Sequence, residues 1–182
     1  MNSTLDDLVE LSDYAWQRLR RRMDGLTDEE YRWEPVPDCR TVRPVEGGGY
    51  RSDGPARDGD PRVFTTLAWR LSHIGFLLQE DRNGAWLGVA APPPGRSGDP
   101  GTAAAALADL DAGYAWWRSV LAACTDESLA EPIGRVGGPF GESTRRAFVL
   151  HILDELIHHG AEAALLRDLY RSEFGETRSA AT

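Results

Sequence analysis

His151-Ile-Leu-Asp-Glu155-Leu-Ile-His158-His159-Gly-Ala-Glu162 decides how this chain is read. Three of its four histidines fall inside this stretch. At about 100° per residue, positions 148, 151, 152, 155, 159, 162 and 166 share one helical stripe. Phe148, Ile152 and Leu166 make that stripe core-facing, yet it also carries His151, Glu155, His159 and Glu162. Ionisable groups on a core stripe are costly unless they pair or bind something. A metal ion would satisfy them together.

Working outward, the helix holding this stretch opens at a Ser143 or Thr144 cap and is expected to end near Arg171. A first helix is expected from Thr4 to Gly25, with Ser3 or Thr4 as cap and Arg20, Arg21 and Arg22 in its last turn. Thr27-Asp-Glu-Glu30 reads as a capping box. A second long helix is expected from Val63 to Gly84, and a third from Thr102 to Cys124. Between Trp33 and Pro61, five prolines and Gly47-Gly48-Gly49 spell a long loop of the kind used as a lid or binding loop. The irregular segment with glycines 134, 137, 138 and 141 resembles a hairpin-like turn. No strand pattern is strong enough to build a sheet. The expected fold is all-α: a four-helix bundle with long crossover loops, one domain over 1–175, and a disordered tail over 176–182.

Composition narrows the function. The 182 residues allow one well-buried core, and the net charge of -9 argues against a nucleic-acid partner. No apolar run reaches membrane-span length, so no membrane partner is expected and the expected location is the cytoplasm. All 20 basic residues are arginine, which excludes lysine Schiff-base chemistry. Cys39 and Cys124 form no CxxC pair, which excludes a zinc knuckle. Cys39 beside Arg40 is either a loop residue or a nucleophile.

Glu155 and His159 are one turn apart on one face, close enough for both to reach one ion. A third ligand must come from another helix, and His73 is the one histidine left. Alone, a mid-helix histidine reads more readily as a hydrogen-bonded core residue than as a ligand; the His/Glu cluster on the last helix shifts that reading. Two histidines and a carboxylate leave positions open for water or substrate. Zn²⁺ suits the set, and Ni²⁺, Fe²⁺ or Mn²⁺ would also be accepted. Glu155-Leu-Ile-His158 lacks the second Glu-x-x-His step of a di-iron bundle, and His-Glu-x-x-His is absent. His158 points off the stripe and reads as a helix contact. His151 is either a proton donor beside the ion or a capping contact. Glu162 either orients a ligand histidine or pairs with an arginine such as Arg118.

The segments "HILDELIHHGAEAALLRDLY" (151–170), "TTLAWRLSHIG" (65–75) and "LTDEEYRWEPVPDCRTVRP" (26–44) resemble the DinB-like metal-binding bundles. They are most similar to the mycothiol-dependent, actinobacterial type. The resemblance implies a bundle, often a homodimer, that holds one divalent ion on His73, Glu155 and His159. Many members have histidine where this chain has Glu155. It further implies a metal-dependent enzyme that activates a low-molecular-weight thiol such as mycothiol. His151, one turn before Glu155, is the candidate catalytic residue as the proton donor beside the ion. The thiol would transfer to an electrophilic small molecule or promote its isomerisation. Arg70, Arg145 and Arg146 are candidates to hold an acidic thiol or substrate. Metal-assisted hydrolysis and a non-catalytic, metal-stabilised association module are the alternatives.

Overall fold

A computed structural model describes residues 3–54 and 64–179, with side chains to residue 174. Helix α1 (Thr4–Arg22) starts at Ser3, whose hydroxyl accepts from the Asp6 amide while the Asp6 carboxylate accepts from the Ser3 amide. The short α2 (Asp28–Arg32) follows, capped by Thr27. The long loop then contains what the sequence did not announce, a two-stranded antiparallel hairpin of β1 (Val42–Pro44) and β2 (Tyr50–Ser52). Three glycines at positive φ, 47 to 49, close it without the steric cost a side chain would incur. The part of the expected loop over 55–61 lies outside the described residues.

The expected second helix is two. Helix α3 (Leu67–Leu78) ends at Gln79, the chain turns extended at Glu80, and α4 (Asp81–Leu87) follows. Asn83 produces the break: its side-chain amide donates to the carbonyls of Leu77 (2.7 Å) and Leu78 (3.3 Å), which have no helical partner left. Helix α5 (Ala103–Ala122) is capped by Thr102. The short α6 (Asp126–Ala130), capped by Thr125, leads to a 3-10 turn over Arg135–Phe140. Helix α7 (Arg145–Ser179) runs well past the expected end at Arg171. It overlaps the segment read as a disordered tail, of which 180–182 lie outside the described residues.

Four long helices make the bundle: α1 packs on α5 and α7, and α3 packs on the same two. Trp117, Leu110, Leu121 and Val149 are fully buried in its core. Trp117 keeps its indole N–H satisfied by Ser12, 3.2 Å away on α1. Glu30 corrects the capping-box reading. Its carboxylate turns inward and accepts from Arg167 at 2.8 Å, both side chains being almost wholly buried. That pair ties α2 to the far half of α7, because an unpaired charge there would carry the full desolvation cost.

Asp109, which reads as surface decoration on the third helix, lies between helices. Its Oδ1 accepts from Gln79 (2.9 Å) and Arg96 (3.1 Å). Arg96 also reaches Asp99, which accepts from the Ser52 amide and the Ser72 hydroxyl. The network pins the loop before α5 and the hairpin onto α3, the helix that carries His73.

Candidate metal centre

Helical spacing sets half of the site. Glu155 and His159 on α7 stand with Oε2 and Nε2 3.2 Å apart. Packing of α3 on α7 supplies the other half, bringing His73 Nε2 to 3.5 Å from the same Glu155 oxygen. The His73 and His159 rings meet edge to face, centroids 4.7 Å apart. One ligand atom from each of the three residues lies within 4.8 Å of the others, so the group could hold a metal ion. His159 is buried, and His73 and Glu155 are partly so.

Protonation follows from the contacts. His159 Nδ1 lies 2.6 Å from Glu162 Oε2. A carboxylate only accepts, so the imidazole hydrogen sits on Nδ1 and is donated to Glu162. Arg70 Nη1 lies 3.0 Å from that nitrogen and 3.0 Å from Glu162 Oε2. With Nδ1 already donating, the arginine's partner is the carboxylate. Nε2 of His159 is then a bare lone pair aimed at Glu155. Burial pushes the His159 imidazole below its ordinary range; His158 and Arg70 add to this and Glu162 opposes it. Burial likewise lowers His73, reinforced by His159 and Arg70 and opposed by Glu155. The His159 Nε2 lone pair and Glu155 Oε2 repel at 3.2 Å unless a cation or a proton lies between them, and His73 Nε2, 3.5 Å from the same oxygen, either donates to it or joins it as a ligand. The donor set therefore fits a divalent ion.

The surroundings hold these rings in place. Trp69, one turn before His73, stacks on it at 5.1 Å and 15°. The Trp69 indole donates to the Asp53 carbonyl (2.7 Å), and the Arg70 guanidinium lies 5.0 Å from its ring. Glu162 pairs with Arg70, not with Arg118; Arg118 instead binds Asp13 at 2.9 Å. Arg70 thus orients the ligand shell. Arg145 pairs with Glu131 (3.0 Å) and packs under Gly88. Arg146 is exposed and has no place in the cluster.

His151 is exposed, with Nδ1 4.0 Å from Glu155 Oε1. His158 donates from Nδ1 to the Asp154 carbonyl (2.8 Å) and leaves Nε2 4.0 Å from Glu155 Oε2. His158, His159 and Glu162 form a second group of suitable spacing, but the short His159–Glu162 contact is better explained as a hydrogen bond. Neither the Trp69 stacking nor the Arg70–Glu162 pair was anticipated from the sequence. The available signal was the i, i+4 spacing of Trp69 and His73.

A family model described as the DinB superfamily matches residues 12–163, from the middle of α1 to beyond His159. The chain belongs to the DinB superfamily. Members of this superfamily often bind a metal ion. No curated protein matches the chain. A crystal structure of "the conserved protein of locus" from Enterococcus faecalis is similar in fold, with a TM-score of 0.58 at 17% identity over 93% of this chain and 98% of that one. As a DinB-superfamily bundle, the chain places its histidines where α3 and α7 meet. Among the described residues, no helix is long and apolar enough to cross a membrane.

Proposed function

We propose that this DinB-superfamily chain is a metal-dependent enzyme. It binds one divalent ion through His73, Glu155 and His159 and uses a small thiol of the mycothiol type as co-substrate. The thiol is transferred to an electrophilic small molecule or assists its isomerisation. The observation that carries the reading is the lone pair of His159 Nε2 facing Glu155 Oε2 at 3.2 Å while its Nδ1 hydrogen is held by Glu162.

A divalent ion in such a site acts as a Lewis acid that lowers the pKa of a bound thiol or water towards neutrality. Zn²⁺ fits the nitrogen-nitrogen-oxygen set. The chain's own residues do the remaining work. Burial lowers the proton affinity of both imidazoles, which favours their nitrogens as metal ligands. Glu162 and Arg70 hold His159 in one tautomer, and Trp69 fixes the plane of His73. His151, exposed beside Glu155, is positioned to take or return a proton at Nδ1.

The cysteines favour an external nucleophile. Cys39 and Cys124 are buried, and burial raises both thiols. Cys39 Sγ lies 3.0 Å from the Val36 carbonyl, its hydrogen-bond acceptor. Neither is available as a thiolate.

The test pairs metal analysis with turnover. Purified protein is assayed for bound metal and, after loading with Zn²⁺, for loss of a model electrophile with and without mycothiol. Retained metal and thiol-dependent loss support the proposal. Equal loss without thiol would overturn its thiol half in favour of hydrolysis, and protein that takes up no metal would overturn it entirely.

A further inference from the structure

A second cleft lies one helical turn from the cluster, between α4, the 3-10 turn and the start of α7. Its volume is about 220 Å³. Trp86 and Phe148 form its walls, ring centroids 4.8 Å apart, and Phe140 closes one end at 6.0 Å from Trp86. The Trp86 indole donates to the Val136 carbonyl (3.2 Å), which latches the turn onto α4. Phe140 remains 59% exposed at the rim.

One cation sits among these rings. Arg82 lies 5.2 Å from the Trp86 centroid and 5.7 Å from that of Phe148. Its Nη2 pairs with Glu80 at 2.6 Å, and the side chain, 32% exposed, lines the cleft. An accessible guanidinium beside aromatic rings suits an anionic or carbonyl oxygen attached to a flat apolar group. His151 lines the same cleft and also stands beside Glu155, so it separates the cleft from the candidate ion. The cavity beside Trp69, His73 and Phe76 is larger, about 420 Å³, but its charged groups are the carboxylates Asp53 and Asp99. In the metal-free chain it offers an anion no arginine among its lining residues.

We infer that the Trp86–Phe148 cleft binds the electrophilic substrate, and that this substrate is a small aromatic or conjugated carboxylic acid. The ring packs against Trp86, Phe148 and Phe140, its carboxylate meets Arg82, and its reactive end faces His151. The inference rests on the metal-dependent reading for the substrate's role, while the binding itself needs no metal. The cleft is smaller than the roughly 300 Å³ at which drug-sized sites begin, so the occupant is no more than one or two rings.

The experiment titrates 2-naphthoate into the full, ¹⁵N-labelled chain and follows the Trp86 indole resonance, assigned with Trp86→Phe. Neutral 2-naphthylmethanol is the charge control. We expect saturable binding of naphthoate, weakened about tenfold in the alcohol and in Arg82→Gln by loss of a charge-assisted hydrogen bond. Ala147→Leu, a change at an exposed first-turn position, narrows the cleft and should block binding without threatening the fold. Tyr14→Phe, an exposed change on α1 outside the cleft, should bind naphthoate within about twofold of the native chain. Naphthoate that leaves the Trp86 resonance unmoved, or binds no better than the alcohol, overturns the inference. Metal uptake with no naphthoate binding sinks the cleft alone, and naphthoate binding without metal uptake sinks only the metal reading.

Discussion

His73 and His159 meet edge to face at 89°, so both rings turn Nε2 towards Glu155 without stacking on each other. Each is on a different helix, and each is lowered in proton affinity first of all by burial. A cation placed among the three groups removes the repulsion between the lone pairs of His159 Nε2 and Glu155 Oε2. We expect purified protein to hold close to one divalent ion, measured by elemental analysis. His73→Ala and Glu155→Ala should each lower affinity by at least about 100-fold, the upper end of what even an outer-shell change costs. Metal content unchanged in both variants would rule out this ligand set.

Glu162 acts through His159. Glu162→Gln keeps the shape of the side chain but no longer demands the Nδ1 hydrogen or pairs with Arg70. We expect metal affinity to fall by about 10- to 100-fold while thermal stability of the metal-free protein changes little. Competition with a chelator reads the first quantity and a melting curve the second.

Asp99 gives the fold an acid-sensitive joint. Burial would raise its carboxyl, but hydrogen bonds from Ser72 and Ser52 and the charge of Arg96 outweigh burial and hold it below the ordinary carboxylate range. The folded value therefore lies below the unfolded one, near 3.9. The unfolded chain takes up this proton first, so the stabilisation is whole above about pH 4 and drains away as pH falls through the folded value. Asp99→Asn should cost about 1.5–3 kcal/mol at pH 7, the worth of hydrogen bonds to a charged group, and flatten this part of the stability curve. Urea unfolding between pH 3 and 7 tests both.

Gly75 on α3 leaves room for the Asp109 carboxylate of α5. A Cβ there would lie 2.3 Å from Asp109 Oδ2. That carboxylate cannot swing aside cheaply, because Gln79 and Arg96 hold it. Gly75→Ala would gain about 1 kcal/mol in helix propensity, yet overpacking costs about 1–3 kcal/mol and breaks a polar network as well. We expect net destabilisation, read as a lower urea midpoint.

Much was legible along the chain because it depends on near neighbours. Caps at Ser3, Thr27, Thr102 and Thr125 announce helix starts through one side chain and one amide three residues on. The α7 stripe places Glu155 and His159 one turn apart by the pitch of the helix alone. The break between α3 and α4 was not legible, because the Asn83 amide that causes it reaches backwards to carbonyls any helix could have kept. The inward turn of Glu30 was hidden likewise. Thr-x-x-Glu suits a capping box, and the competing partner, Arg167, lies far along the sequence.

By itself, then, the sequence determined four long helices, the face of α7 that carries ionisable groups, and the set of residues able to ligate an ion. Helical pitch and capping act over three or four residues and need no knowledge of the rest of the chain. Only the tertiary structure decided that His73 reaches Glu155, that Arg70 and not Arg118 answers Glu162, and that Trp86, Phe148 and Arg82 share a cleft. Those meetings depend on the rotation and register of packed helices, which hydrophobic spacing constrains to a face but not to a partner.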